Sequence, residues 1–116
     1  SLDVFDPRAL DSYHASCNEP SRIHAFCEDY RAGATLDCTA DEADVAAGRK
    51  IGCPTLLISS RFYLTRDASD ADGTPLDTWH DTFAPQATGI ELDSGHFVAE
   101  ENASGTLAAL EPFLRA

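Results

Sequence analysis

The chain contains no methionine and only one lysine, and eight of its 116 residues are Lys or Arg against twenty Asp or Glu. This scarcity of positive charge, with a formal net charge of −12, argues against nucleic acid as a partner. Non-specific affinity for a phosphate backbone comes from Lys and Arg displacing counterions. The same deficit argues against an anionic membrane surface. No apolar run approaches the about twenty residues needed to cross a bilayer. The longest, Ile51 to Ile58, is interrupted by Gly52, Pro54 and Thr55. The opening Ser-Leu-Asp-Val-Phe-Asp lacks the basic start and apolar centre of a secretory signal, so a cytoplasmic protein is expected. There is no Cys-x-x-Cys: Cys17, Cys27, Cys38 and Cys53 are widely spaced, with no His at zinc-finger distance. No metal is expected, and buried free thiols are expected rather than disulfides. A Gly-rich phosphate loop is also missing, and no cofactor is expected. The missing initiator methionine allows that the true start lies upstream of Ser1.

At 43% hydrophobic residues the chain is too apolar for a disordered acidic tail, and its acidic residues are dispersed as on a solvated folded surface. Its length suits one ordinary domain, large enough to bury a core without metal or disulfide support.

Asp6-Pro7 opens a predicted short helix with Leu10, Tyr13, His14 and Cys17 at helical spacing. The clearest helix follows, with Ile23, Phe26, Cys27 and Tyr30 on one stripe, Ser21 as candidate N-cap and Gly33 as a stop. One face of it is expected to be buried. A third helix is predicted over 40–47, between early acidic residues and Arg49-Lys50. From Ile51 to Ser59 the pattern reads as a strand covered on both faces, as in a parallel sheet. A long polar connection from Ser60 to Gly73 leads to Thr74-Pro75, an N-cap and first-turn proline, and then to a helix burying Leu76, Trp79 and Phe83. A second strand is predicted over 87–92 and a closing helix over 102–114, with Leu107, Leu110 and Leu114 on one face. Strand, helix, strand in this order predicts a right-handed βαβ crossover.

Of the four histidines, His14, His24 and His80 read as surface or packing residues. His96 differs, because Asp93-Ser94-Gly95-His96-Phe97 lies just beyond the carboxyl end of the second strand, where open α/β sheets place working residues. Gly95 is expected to let the backbone turn sharply there. An imidazole suits general-base work on water. The alternative is a turn histidine with no role.

Four blocks together carry a resemblance. Cys27-Glu28-Asp29-Tyr30-Arg31-Ala32-Gly33-Ala34, Arg49-Lys50-Ile51-x-Cys53-Pro54, Thr74-Pro75-Leu76-Asp77-x-Trp79 and Ser94-Gly95-His96-Phe97-x-x-Glu100-Glu101 resemble, in order and approximate spacing, the C-terminal part of haloacetate dehalogenases of the α/β-hydrolase superfamily. Phe5-Asp6-Pro7-Arg8-Ala9-Leu10 is similar to part of the family's cap. The resemblance covers nearly all of the chain. It implies a partial α/β-hydrolase fold, with residues 1–48 as the end of the cap and 49–116 as the C-terminal strand-helix-strand-helix of the core with parallel strands. It also implies a mechanism in which an Asp carboxylate displaces halide to form an ester, and a His activates water to hydrolyse it. His96 matches that His, and Tyr30 matches a cap tyrosine that holds the departing halide, with a structural tyrosine as the alternative. The nucleophile, its elbow, the oxyanion donors and the substrate-gripping arginines are expected before Ser1, together with the acid that orients the His. Asp67 or Asp70 is a substitute acid, weighed against plain solvated carboxylates. Where Trp-Gly usually ends the family's strand, Ser59-Ser60-Arg61-Phe62-Tyr63 stands here, followed by a longer connection.

The chain alone is therefore expected to be inactive. It would act on a small haloacid or ester substrate when completed by an upstream half, and would self-associate through the exposed edge of the strand over 51–59. Two other readings are a non-catalytic assembly or binding module, and a segment of a different α/β hydrolase such as an epoxide hydrolase.

Overall fold

A computed structural model describes residues 2–62 and 73–116. The chain divides into two compact units, Ser1–Arg49 and Lys50–Ala116.

The first unit is helical, with α1 (Pro7–Cys17), α2 (Pro20–Gly33) and α3 (Leu36–Ala46). Asp6 caps α1 by accepting the Arg8 N–H at 2.8 Å, and Pro7 sits in the first turn, where its missing N–H costs nothing. Arg8 also pairs with the Asp6 side chain, and these hydrogen bonds hold its carboxyl below the usual carboxylate range. Helix α2 begins earlier than Ser21 suggests: Pro20 takes the first turn, and Glu19 is the cap residue without a side-chain cap bond. It ends at Gly33 as predicted. Helix α3 starts at Leu36 rather than at 40.

The expectation that α2 buries one face is not met. No residue of α1, α2 or α3 is buried, and Phe26 is 47% and Tyr30 80% exposed. Within this unit α2 packs against α1 and α3, and those contacts leave much of its apolar stripe uncovered. For the same reason Cys17, Cys27 and Cys38 are exposed free thiols rather than buried ones, and Cys53 in the second unit is exposed as well.

The second unit contains β1 (Leu56–Ser60), α4 (Pro75–Thr82), β2 (Thr88–Leu92), α5 (Val98–Glu101) and α6 (Ala103–Arg115). The strands pair in parallel from Leu56↔Thr88 to Ser60↔Leu92, so β1, α4 and β2 form the expected βαβ unit. Strand β1 begins at Leu56 because the preceding backbone is engaged elsewhere. The Ile51 N–H donates to the Phe83 carbonyl at 2.8 Å, and the Gln86 amide donates to the carbonyls of Ile51 and Cys53 at 2.6 and 3.0 Å. The lone lysine serves the same seam: Lys50 Nζ donates to the Asp81 and Thr82 carbonyls at 2.9 and 2.7 Å, closing the last turn of α4.

Thr74-Pro75 does start α4, through a full capping box. Thr74 Oγ1 accepts the Asp77 N–H, and the Asp77 carboxylate accepts from the Thr74 N–H at 2.7 Å. Leu57, Ser59, Gly89 and Glu91 share one sheet face by their register and alternation. Leu76 lies over Gly89, where a Cβ would meet the Leu76 Cδ2 at 2.6 Å. An open groove of about 160 Å³ runs along this face beside the start of α4. Helix α6 packs on both strands and buries Ala109, which with Ala84 and Ala87 makes up the buried apolar core among the described residues. The stripe Leu76, Trp79 and Phe83 is only half-buried, β1 is half-buried rather than covered on both faces, and most of β2 is exposed. Small residues fill the core, so larger side chains stay near its rim.

Candidate functional site

The site is built where β2 ends. Beyond Leu92 the chain runs through Asp93, Ser94, Gly95, His96 and Phe97 into α5, so parallel pairing with β1 fixes the height at which this loop emerges. The loop is tied to β1 by Ser60, whose buried hydroxyl donates to the Ser94 carbonyl at 2.5 Å and accepts the Phe62 N–H at 3.1 Å. It is tied to α6 by Asn102. The Asn102 side-chain carbonyl caps α6 by accepting the Gly105 N–H at 3.0 Å, and its amide donates to the Asp93 carbonyl at 3.3 Å.

His96 is exposed at the carboxyl end of β2, and its ring meets that of Phe97 edge-on at 4.7 Å and 70°. Glu101 accepts the backbone N–H groups on either side of it, Gly95 at 2.7 Å and Phe97 at 3.0 Å. Positive φ among the described glycines occurs at Gly48 and Gly73, not at Gly95. What Gly95 provides is room, since a Cβ there would stand 2.6 Å from the Glu101 carboxylate. Ser94 is 5% exposed, and among the described residues its hydroxyl has no hydrogen-bond partner.

Beside the loop, Arg61 follows directly on β1. Its N–H donates to the Leu92 carbonyl at 2.9 Å, and its side chain pairs with Glu91 at 3.0 Å. The hydrogen bond and charge of Glu91, with the more distant Asp93, raise the Arg61 pKa further. The strand end thus carries a guanidinium, the carboxylates of Glu91, Asp93 and Glu101, a buried hydroxyl without a partner among the described residues, and an imidazole.

Tyr30, the other residue singled out in the sequence, lies on α2 in the first unit with its ring largely exposed. Asp67 and Asp70, the substitute acids, lie outside the described residues, as does most of the long polar connection. Among the described residues no cluster of three or more His, Cys, Asp or Glu is arranged to hold a metal, and no helix is long and apolar enough to cross a membrane. Sequence reasoning missed the contributions of Glu101, Asn102 and Ser60. Glu101 lay within the quoted Gly-His-Phe block, yet its reach back to two loop amides has no helical or strand periodicity to reveal it.

No family model matches the chain. The chain is 32% identical over 115 residues to a fluoroacetate dehalogenase from a Burkholderia species, covering 97% of this chain and 34% of that protein. Among solved structures it is similar to a Pseudomonas aeruginosa protein provisionally described as an epoxide hydrolase. The match to a point mutant of that protein with bound MFA has a TM-score of 0.83 at 34% identity, over 97% of this chain and 36% of the other. A second structure described in the same way matches with a TM-score of 0.74 at 34% identity, over 97% and 38%. The chain spans about a third of the length of these relatives.

Proposed function

Since the chain carries the C-terminal part of an α/β-hydrolase fold, we propose that it supplies the histidine general base of a haloacetate-dehalogenase-like hydrolase whose nucleophilic aspartate comes from outside these residues. The observation that carries this reading is the placement of His96 at the carboxyl end of β2, in a loop pinned by Glu101, Asn102 and Ser60. A general base needs a fixed ring with access to water, and an exposed imidazole on an anchored loop meets both needs.

In the proposed reaction the aspartate attacks the substrate carbon and halide leaves with the electron pair of the broken bond. His96 then takes a proton from water, the resulting hydroxide equivalent attacks the ester carbonyl, and the alcohol oxygen leaves with the proton returned to it. Tyr30 is proposed to hold the departing halide through its exposed hydroxyl. The apolar surface left open on α2 and the largely exposed β2 support a chain that works when further structure covers them. The similarity to proteins described as epoxide hydrolases favours a second reading, in which the same ester forms by opening an epoxide and His96 has the same task.

The test is a chimera in which this chain replaces the matching third of the Burkholderia relative, assayed with chloroacetate and with a small epoxide. Halide release cut by His96→Ala from sustained turnover to a single equivalent per chain supports the first reading, and diol formation without halide release supports the second. Sustained turnover by the 116-residue chain alone, lost in His96→Ala, would overturn the external nucleophile. Turnover of the chimera unchanged by His96→Ala would overturn the proposed role of His96.

A further inference from the structure

We infer that Glu101 is a positioning residue that fixes His96 by clamping the backbone on both sides of it. The inference deepens the proposed function and rests on His96 being the base. The two oxygens of one carboxylate accept from two amides that flank the histidine, Gly95 at 2.7 Å and Phe97 at 3.0 Å. A planar carboxylate held at both ends leaves the intervening residue little freedom in either neighbouring peptide plane. Because a carboxylate acceptor makes these bonds charge-assisted, each is stronger than an amide–carbonyl bond. Anchoring Phe97 also orients its ring, which meets the imidazole edge-on.

Three further observations fit this clamp. The space for the carboxylate exists only because residue 95 has no Cβ, so glycine and glutamate form one device. Phe97 is the cap residue of α5 and makes no side-chain cap bond, and Glu101, at the end of the same turn, reaches back to accept its N–H. The next residue, Asn102, binds the Asp93 carbonyl, so the segment entering α6 grips the loop from both its beginning and its end.

The experiment is NMR on the full chain, comparing wild type, Glu101→Ala, Gly95→Ala and the double variant. In Glu101→Ala, amide exchange at Gly95 and Phe97 is expected to accelerate about tenfold or more. The His96 ring protons are expected to lose the shift imposed by the Phe97 ring. Gly95→Ala should reproduce both changes by displacing the carboxylate, and in the double variant it should add nothing, because the conflict it creates is already gone. A purely structural role for Glu101 would speed all amides of α5 and α6 together, leave the His96 ring shift intact in the folded population, and make the two substitutions additive. That result overturns the inference. Should the alanine variants fail to fold, Glu101→Gln keeps the side-chain size but turns one acceptor into a donor. Loss of protection at one flanking amide supports the clamp, and unchanged protection at both overturns it. These readouts need no substrate, so a chimera without turnover but with a working clamp would refute the proposed function alone.

Discussion

Replacing Gly89 with alanine probes how α4 is seated on the sheet that carries the site. A Cβ at this position would lie 2.6 Å from Leu76 Cδ2, 3.0 Å from Cδ1 and 3.1 Å from Cγ. Ordinary carbon–carbon contact is about 3.5–4.0 Å, so Leu76 must retreat by about 1 Å. Leu76 is half-buried and can move part of the way toward solvent. Overpacking usually costs about 1–3 kcal/mol, and the low end applies to a side chain that can swing aside. Alanine recovers about 0.5–1 kcal/mol of the backbone entropy that glycine loses in a strand, which partly offsets the clash. The expected net effect is a destabilisation of about 1 kcal/mol, or about 4–8 °C in Tm for a unit of this size. The assay is thermal and urea unfolding followed by far-UV circular dichroism. In a Leu76→Ala background the same substitution should be neutral or stabilising, because only the entropic term remains. A Gly89→Ala protein as stable as wild type, or a penalty equal in both backgrounds, would show that Leu76 does not rest on Gly89.

Two further outcomes follow from single residues. The hydrogen bonds from the Thr74 backbone and side chain hold the Asp77 carboxyl below the usual carboxylate range, with a smaller contribution from His80. A depressed folded pKa stabilises above the unfolded value and is lost as pH falls through the folded one, so wild type should lose α4 stability below about pH 4. Asp77→Asn should remove that pH dependence in unfolding midpoints, and an unchanged slope would refute the assignment. Ser94 carries a buried hydroxyl without a partner among the described residues, so Ser94→Ala should raise stability by about 1 kcal/mol in urea unfolding. A loss of similar size would reveal a partner for that hydroxyl.

Much of the local structure was legible because particular residues announce it. Pro7 and Pro75 mark two helix starts, Gly33 marks a stop and Thr74 marks a cap, whereas Ser21 drew attention away from the start at Pro20. The parallel strand pair followed from two apolar segments separated by a helix. Burial was not legible. The stripe containing Ile23, Phe26 and Tyr30 has helical spacing whether or not a neighbour covers it, and the four cysteines gave no local sign that they would be exposed. The start of β1 was also hidden, because a side chain thirty-five residues away, Gln86, takes the Ile51 carbonyl that a ladder would otherwise have used. His96 could be singled out because a histidine just past a strand end is a local pattern. Glu101 could not, because its role depends on the loop folding back toward it.

The central claim is that His96 performs the hydrolytic half of a two-step reaction whose first half uses an aspartate from outside these residues. It is tested most directly by intact-protein and peptide mass spectrometry of the His96→Ala chimera after incubation with chloroacetate. The account predicts an accumulated carboxymethyl ester on an aspartate of the completing portion, absent from the chimera that retains His96. An ester on a residue of this chain, or no accumulation in a folded chimera that releases halide only when His96 is present, would contradict it.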